Sequence, residues 1–157
     1  VKGNVISLNL LRSTNNPDIA ADKARHEFTY ALFPHAGDTF NGKVPEEGYA
    51  LNAPLRVVPT ARHTGTLPES AGFFNVSNRN IVIETVKPAE SGKGVILRMY
   101  ENRGTRTTAT VRTLPHLKFK KATLVDLLEK RIAPVTMKEG AFDLKFGPFE
   151  ILTVLLG

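Results

Sequence analysis

Hydrophobic and polar residues alternate with a period of two through much of this chain, which is the pattern of half-buried β-strands. In residues 5–11, VISLNLL, Ile6, Leu8 and Leu10 share one face. In residues 27–33, Phe28, Tyr30 and Leu32 alternate with Glu27, Thr29 and Ala31, and Pro34 with Gly37-Asp38 then closes the strand in a corner. Between these two stretches, residues 12–18 read as a polar loop, and residues 19–25 as a short helical turn with Asp18 as its N-cap. Residues 42–54, with Glu46, Glu47, Tyr49, Ala50 and Leu51, predict one or two helical turns, and residues 55–60, LRVVPT, another strand.

Residues 63–72, HTGTLPESAG, have no hydrophobic period and read as an exposed loop. Beyond them, strands are predicted at short intervals over residues 81–86, 95–100, 107–114, 123–128, 142–146 and 149–155. Turn signals separate them: Ser91-Gly92-Lys93-Gly94, Asn102-Arg103-Gly104, Glu139-Gly140 and Gly147-Pro148. Residues 124–131, LVDLLEKR, fit either a helix or a strand, and their shortness favours the strand. The fold class read from this pattern is all-β and antiparallel, with a boundary near residues 77–79. Residues 79–157 form a small Ig-like sandwich. Residues 1–78 hold too few strands for a closed sheet, and read as the tail of a large sandwich whose earlier strands lie upstream in a parent chain.

Composition narrows the class. With 41% hydrophobic and 23% charged residues, the 157-residue chain falls among globular proteins. No apolar run approaches the roughly 20 residues of a membrane span. The start, Val1-Lys2-Gly3-Asn4, carries neither a signal-peptide pattern nor an initiator Met, which predicts a fragment or a processed chain. The absence of Cys excludes a disulfide framework and thiolate chemistry, and agrees with a reducing compartment. Charge is uneven: residues 1–78 hold 7 basic and 7 acidic side chains, whereas residues 79–157 hold 14 and 8 and so supply the net +6. The basic residues alternate with strand hydrophobics, as solvated sheet faces require, and no nucleic-acid partner is expected. Leu117-Lys118-Phe119-Lys120-Lys121 sets lysines around one aromatic, the spacing of a half-buried strand.

Catalytic patterns are sparse. The carboxylates of the first half, Asp18, Asp22, Glu27 and Asp38, sit on loops or an outer strand face, where charge is ordinary. His26 and Glu27 do not complete a two-histidine zinc motif, because Tyr30 stands where the second His belongs, and His26 and His35 point to opposite faces. His63 and His116 are isolated, so no metal site is expected. There is no Gly-x-Ser-x-Gly elbow, and Ser91-Gly92-Lys93-Gly94 reads as a hairpin turn and not as a phosphate loop.

Four strings in order carry a resemblance: Ser7-Leu8-Asn9-Leu10-Leu11-Arg12-Ser13 with the Pro17-Asp18 and Ala21-Asp22 pairs, residues 26–38 (HEFTYALFPHAGD), residues 83–104 (IETVKPAESGKGVILRMYENRG) and residues 148–156 (PFEILTVLL). Together they resemble the C-terminal β-region of the family 38 glycoside hydrolases, the retaining, zinc-dependent α-mannosidases, and most of all their cytosolic-type branch. The resemblance implies a supersandwich-like sheet followed by the smaller sandwich, and a cytoplasmic location. It also implies that zinc and the catalytic carboxylates belong to an upstream catalytic domain, so that this chain has no catalytic residue and binds no cofactor of its own. Its partners are then that domain and mannose-containing glycans. Arg12 matches the position from which an arginine reaches toward the sugar, with Asp18 in the same loop as its orienting partner. A different class is a stand-alone carbohydrate-binding sandwich using Tyr30, Tyr49 and Tyr100, although Trp, the usual stacking platform, is absent.

Overall fold

Strands that bury one face need a second sheet to bury it against, and residues beyond 73 supply two. In the computed structural model, which describes residues 3–157, β1 (Phe74–Val76), β4 (Thr107–Thr113), β8 (Ala141–Phe146) and β7 (Met137–Lys138) form a four-stranded antiparallel sheet in the order β1-β4-β8-β7. β2 (Ile81–Pro88), β3 (Val95–Glu101), β9 (Ile151–Leu156), β5 (Ala122–Val125) and β6 (Arg131–Val135) form a five-stranded one in the order β2-β3-β9-β5-β6. The all-β antiparallel sandwich read from the sequence is the fold observed.

Alternation decides which side chains meet between the sheets. Leu97 and Met99 from β3, Ala109 and Val111 from β4, Phe142, Leu144 and Phe146 from β8, and Val154 and Leu156 from β9 make one buried cluster. A smaller cluster of Ala89, Ile96, Val125 and Leu155 lies on the other face of the five-stranded sheet. The turn after β5 is tied to the end of β2 on this side. Glu129 accepts the Glu90 backbone N–H at 2.8 Å and pairs with Lys87 at 2.8 Å, and Lys87 also pairs with Glu90. The hydrogen bond from Lys87 and that from the Glu90 backbone hold the Glu129 carboxyl below its usual range, and Glu129 in turn raises the Lys87 ammonium.

The chain crosses between sheets four times after β3. Residues 102–106 carry β3 into β4, residues 114–121 carry β4 into β5, Thr136 alone separates β6 from β7, and residues 147–150 carry β8 into β9. Pro134 is accommodated because β6 is an edge strand. The β2–β3 hairpin turns at Gly94, whose φ is +99° and where a Cβ would stand 2.3 Å from the Leu156 carbonyl oxygen.

The chain divides into two compact units, Val1–Leu55 and Arg56–Gly157, each described by itself. β1 lies on the N-terminal side of the expected boundary at residues 77–79 and pairs with β4 in register Phe74↔Thr113. In the first unit α1 (Val44–Asn52) forms where helical turns were expected, with Pro45 near its start and Glu46 and Glu47 in its first turn. Strands expected at residues 5–11, 27–33 and 55–60 are not formed: apart from an isolated bridge at Val5, no ladder holds them among the described residues. The alternation is present, but a strand is stable only when a neighbour takes its N–H and C=O groups. Their apolar faces are open, with Leu8 at 62%, Tyr30 at 69% and Leu32 at 83% exposure. His26 stacks on Phe28 and Phe33 on His35, in each case two residues apart, as extended backbone allows.

Candidate functional site

The first place to look is the loop expected to face a sugar. Its geometry is local: the Asp18 carboxylate accepts the Ala20 N–H at 2.8 Å, the Asp18 carbonyl accepts the Ala21 N–H at 3.2 Å, and the Ser13 hydroxyl donates to the Ala21 carbonyl at 3.4 Å. Asp18 therefore closes a turn of the Asx type and does not cap a helix. Arg12 lies just before this closure, exposed, with no hydrogen bond or ion pair among the described residues. No hydrogen bond or ion pair joins it to Asp18. The two expected pocket residues share a loop, but Asp18 is occupied with its own backbone and Arg12 projects without a partner.

Of the other candidates, Asp38 accepts the N–H groups of Phe40 and Asn41 at 3.0 and 2.7 Å, closing the corner predicted after Pro34. Glu27 pairs with Arg25 at 2.7 Å on the surface, and the Asp22 carbonyl contacts His26 Nε2 at 2.9 Å. Among the described residues no three His, Asp or Glu side chains approach closely enough to hold a metal ion. The residues present thus do not fit a zinc centre. Tyr30 and Tyr49 are exposed, whereas Tyr100 sits in β3 between Val82 and Ile151 and is half-buried.

The most elaborate polar site is one that strand reading passed over. Glu101 ends β3 and is fully buried. It continues the inward series of Leu97 and Met99, so alternation directs its carboxylate into the sandwich. One oxygen accepts from the Arg103 N–H at 3.0 Å and the Thr105 hydroxyl at 3.2 Å. The other accepts from the N–H groups of Gly104 at 2.7 Å, Thr105 at 3.1 Å and Phe149 at 3.1 Å. Asn80 extends the network, its amide donating to the hydroxyls of Thr105 and Thr107 at 3.2 and 3.4 Å. Gly104 is required under this cap, since its φ is +70° and a Cβ there would lie 2.7 Å from the Phe149 ring.

Burial pushes the Glu101 carboxyl up, and the backbone donors of Phe149, Arg103, Thr105 and Gly104 together outweigh it, so the group lies below its ordinary value of 4.5. Held as an anion with both oxygens occupied, it is unsuited to proton transfer and suited to fastening two crossover loops. The sequence held a signal for it: an acid at an inward strand position, directly before the tight turn Asn102-Arg103-Gly104.

The outer face of the four-stranded sheet carries a shallow hollow of about 660 Å³, where the Thr110 hydroxyl donates to Asp143 at 2.6 Å beside Lys138 and Thr136. A second, of about 330 Å³, lies across β5, β6 and β9 and is lined mainly by apolar side chains, including Leu127, Ile132 and Ile151. No helix among the described residues is long and apolar enough to cross a membrane.

Comparison with known proteins adds the context these sites lack. The sequence model described as the glycosyl hydrolases family 38 C-terminal β-sandwich domain matches residues 80–154. Over 99% of its length the chain is 39% identical to alpha-mannosidase 2C1 of Mus musculus, over 96% it is 34% identical to alpha-mannosidase G of Dictyostelium discoideum, and over 98% it is 26% identical to an alpha-mannosidase of Saccharomyces cerevisiae. It spans only 15%, 14% and 16% of those three proteins.

Proposed function

Residues 80–154 belong to glycosyl hydrolase family 38 as its C-terminal β-sandwich domain, and we propose that the chain is a non-catalytic part of a longer, cytoplasmic α-mannosidase. In this reading the parent enzyme removes terminal α-linked mannose with retention, and the chain packs on the catalytic domain and helps complete it. Zinc and the pair of catalytic carboxylates belong to that domain. Residues before β1 contribute the last segments of a larger sandwich, and β1 to β9 form the small terminal one, so the boundary lies N-terminal to the expected residues 77–79.

The observation that carries this reading is the state of the carboxylates. The most buried one, Glu101, has both oxygens taken up in fastening loops, and Asp18 and Asp38 close turns of their own backbone. A retaining glycosidase needs two carboxyl groups about 5–5.5 Å apart on either side of a sugar, one of them free to trade a proton. The extended segments of the first unit point the same way: they alternate like strands and lack a ladder, as the terminal strands of a longer sheet would.

A chromogenic α-mannoside assay with added zinc tests the reading. The chain alone should release no mannose, and activity should appear when it is combined with the separately expressed upstream region of the parent. Zinc-dependent release by the chain alone would overturn the proposal.

Arg12 is the residue of this chain proposed to reach the sugar, its guanidinium offering a forked donor to hydroxyls. Arg12→Ala in the combined enzyme is expected to lower kcat/KM by about tenfold to a hundredfold, the loss of one charge-assisted hydrogen bond of about 1.5–3 kcal/mol. Thermal stability should not change, because the exposed side chain makes no hydrogen bond or ion pair among the described residues. Unchanged kcat/KM would remove Arg12 from the pocket.

A further inference from the structure

Each outer face of the sandwich meets a different environment, and the five-stranded sheet's is divided. One part of this face the chain covers itself: Ala89, Ile96 and Val125 are buried, Leu155 packs against them, and the turn after β5 is fastened through Lys87 and Glu129. Beyond this part the covering stops. Leu127, Ile132 and Ile151 stand 62%, 63% and 55% exposed around the 330 Å³ hollow, which Val125 of the buried cluster also lines. One oxygen of each acid at its edge is occupied: Asp126 Oδ1 accepts the N–H groups of Leu128 and Lys130, and Glu150 Oε2 that of Gly147. Three large aliphatic side chains converging on a hollow continuous with a buried cluster make a surface shaped to receive more apolar side chains.

We infer that this open half of the face, centred on Leu127, Ile132 and Ile151, is where the remainder of the mannosidase polypeptide, the part outside these residues, docks on the small sandwich. The inference rests on the proposed function and specifies its contact. The occupant is argued from length: the chain makes up about 15% of the relatives it matches along nearly all of its own length, so a polypeptide several times larger accompanies this domain in them. Burying three such side chains removes apolar area from water.

Side-chain footprinting read by mass spectrometry distinguishes the outcomes, applied to this chain alone and to the intact parent protein. Leu127, Ile132 and Ile151 are expected to label at least tenfold more slowly in the parent, while Leu55, 97% exposed in this chain, serves to report on the first unit. Equal labelling of the three in both proteins, with protection of residues 5–11 or 27–33 in the parent, would overturn this docking face and leave the proposed function standing. Protection nowhere in the parent would overturn both. If the chain alone sediments as a dimer and Ile151→Lys returns it to a monomer, the face joins two copies and the inference is wrong.

Discussion

Removing residues 151–157 should abolish the sandwich. β9 is the last strand in sequence but an interior strand in space, paired with β3 from Val95↔Leu156 to Tyr100↔Ile151 and with β5 from Ala122↔Leu156 to Val125↔Thr153. Without it the five-stranded sheet separates into two hairpins, and two fully buried side chains, Val154 and Leu156, leave the core. Each of these contributes about 1.5–3 kcal/mol through burial alone. To this is added the loss of two ladders, and of the Gly157 carbonyl that accepts from Lys120 and Lys121 at 2.8 and 2.9 Å. Against a total stability of about 5–15 kcal/mol no cooperative fold should survive. The truncated chain should show collapsed near-ultraviolet circular dichroism and no sigmoidal melt. The milder Leu156→Ala should keep the fold while losing about 2–5 kcal/mol, or about 10 °C or more in Tm. A cooperative melt in the truncated chain would show that β9 is dispensable.

Most of the sandwich was legible in the sequence because its strands are punctuated by glycine turns and bury one face. Residues 81–86, 95–100, 107–114, 142–146 and 149–155 each became a strand within a few residues of the expected ends. β1, β6 and β7 were not predicted: two are only three and two residues long, and β6 contains a proline, so none displays enough alternation to register. Residues 124–131 resisted a single assignment because they are two elements. Leu124 and Val125 end β5, and Asp126 then captures the backbone of residues 128 and 130, turning Leu127 and Leu128 outward. In the first unit, alternation identified extended backbone but not the ladder, since a period of two says which face is apolar and nothing of which strand lies alongside. The role proposed for the Arg12 loop comes only from family resemblance, because no local pattern distinguishes an arginine awaiting a ligand from one on the surface. Glu101 was passed over for the opposite reason. Carboxylates were sought on loops and outer faces, where they are common, and this one stands at an inward position, where its environment has to be built around it.

That environment makes Glu101 the most consequential polar side chain of the sandwich. The donors it collects come from both crossovers at one end, residues 103–105 between β3 and β4 and Phe149 between β8 and β9, so one carboxylate fastens the two sheets together. Glu101→Ala leaves these N–H groups facing a buried void, each at about 1–3 kcal/mol, and should cost on the order of 3–5 kcal/mol in all. Glu101→Gln keeps the shape but turns an NH₂ toward N–H donors, and should cost roughly half as much. The two variants differ further in how they answer acid. Because the folded-state carboxyl lies below its ordinary value of 4.5, its stabilisation is fully present above the ordinary carboxylate range and is lost as pH falls through the folded value. Wild-type stability should therefore decline on the acid side, and part of that decline belongs to Glu129, whose carboxyl is also held low. Urea denaturation at a series of pH values between about 7 and 3 separates the contributions. Glu101→Gln cannot titrate at this position, so the gap between wild type and variant should be widest at neutral pH and close toward acid. A constant gap would mean that Glu101 acts by shape alone, with its charge contributing nothing to the joint between the sheets.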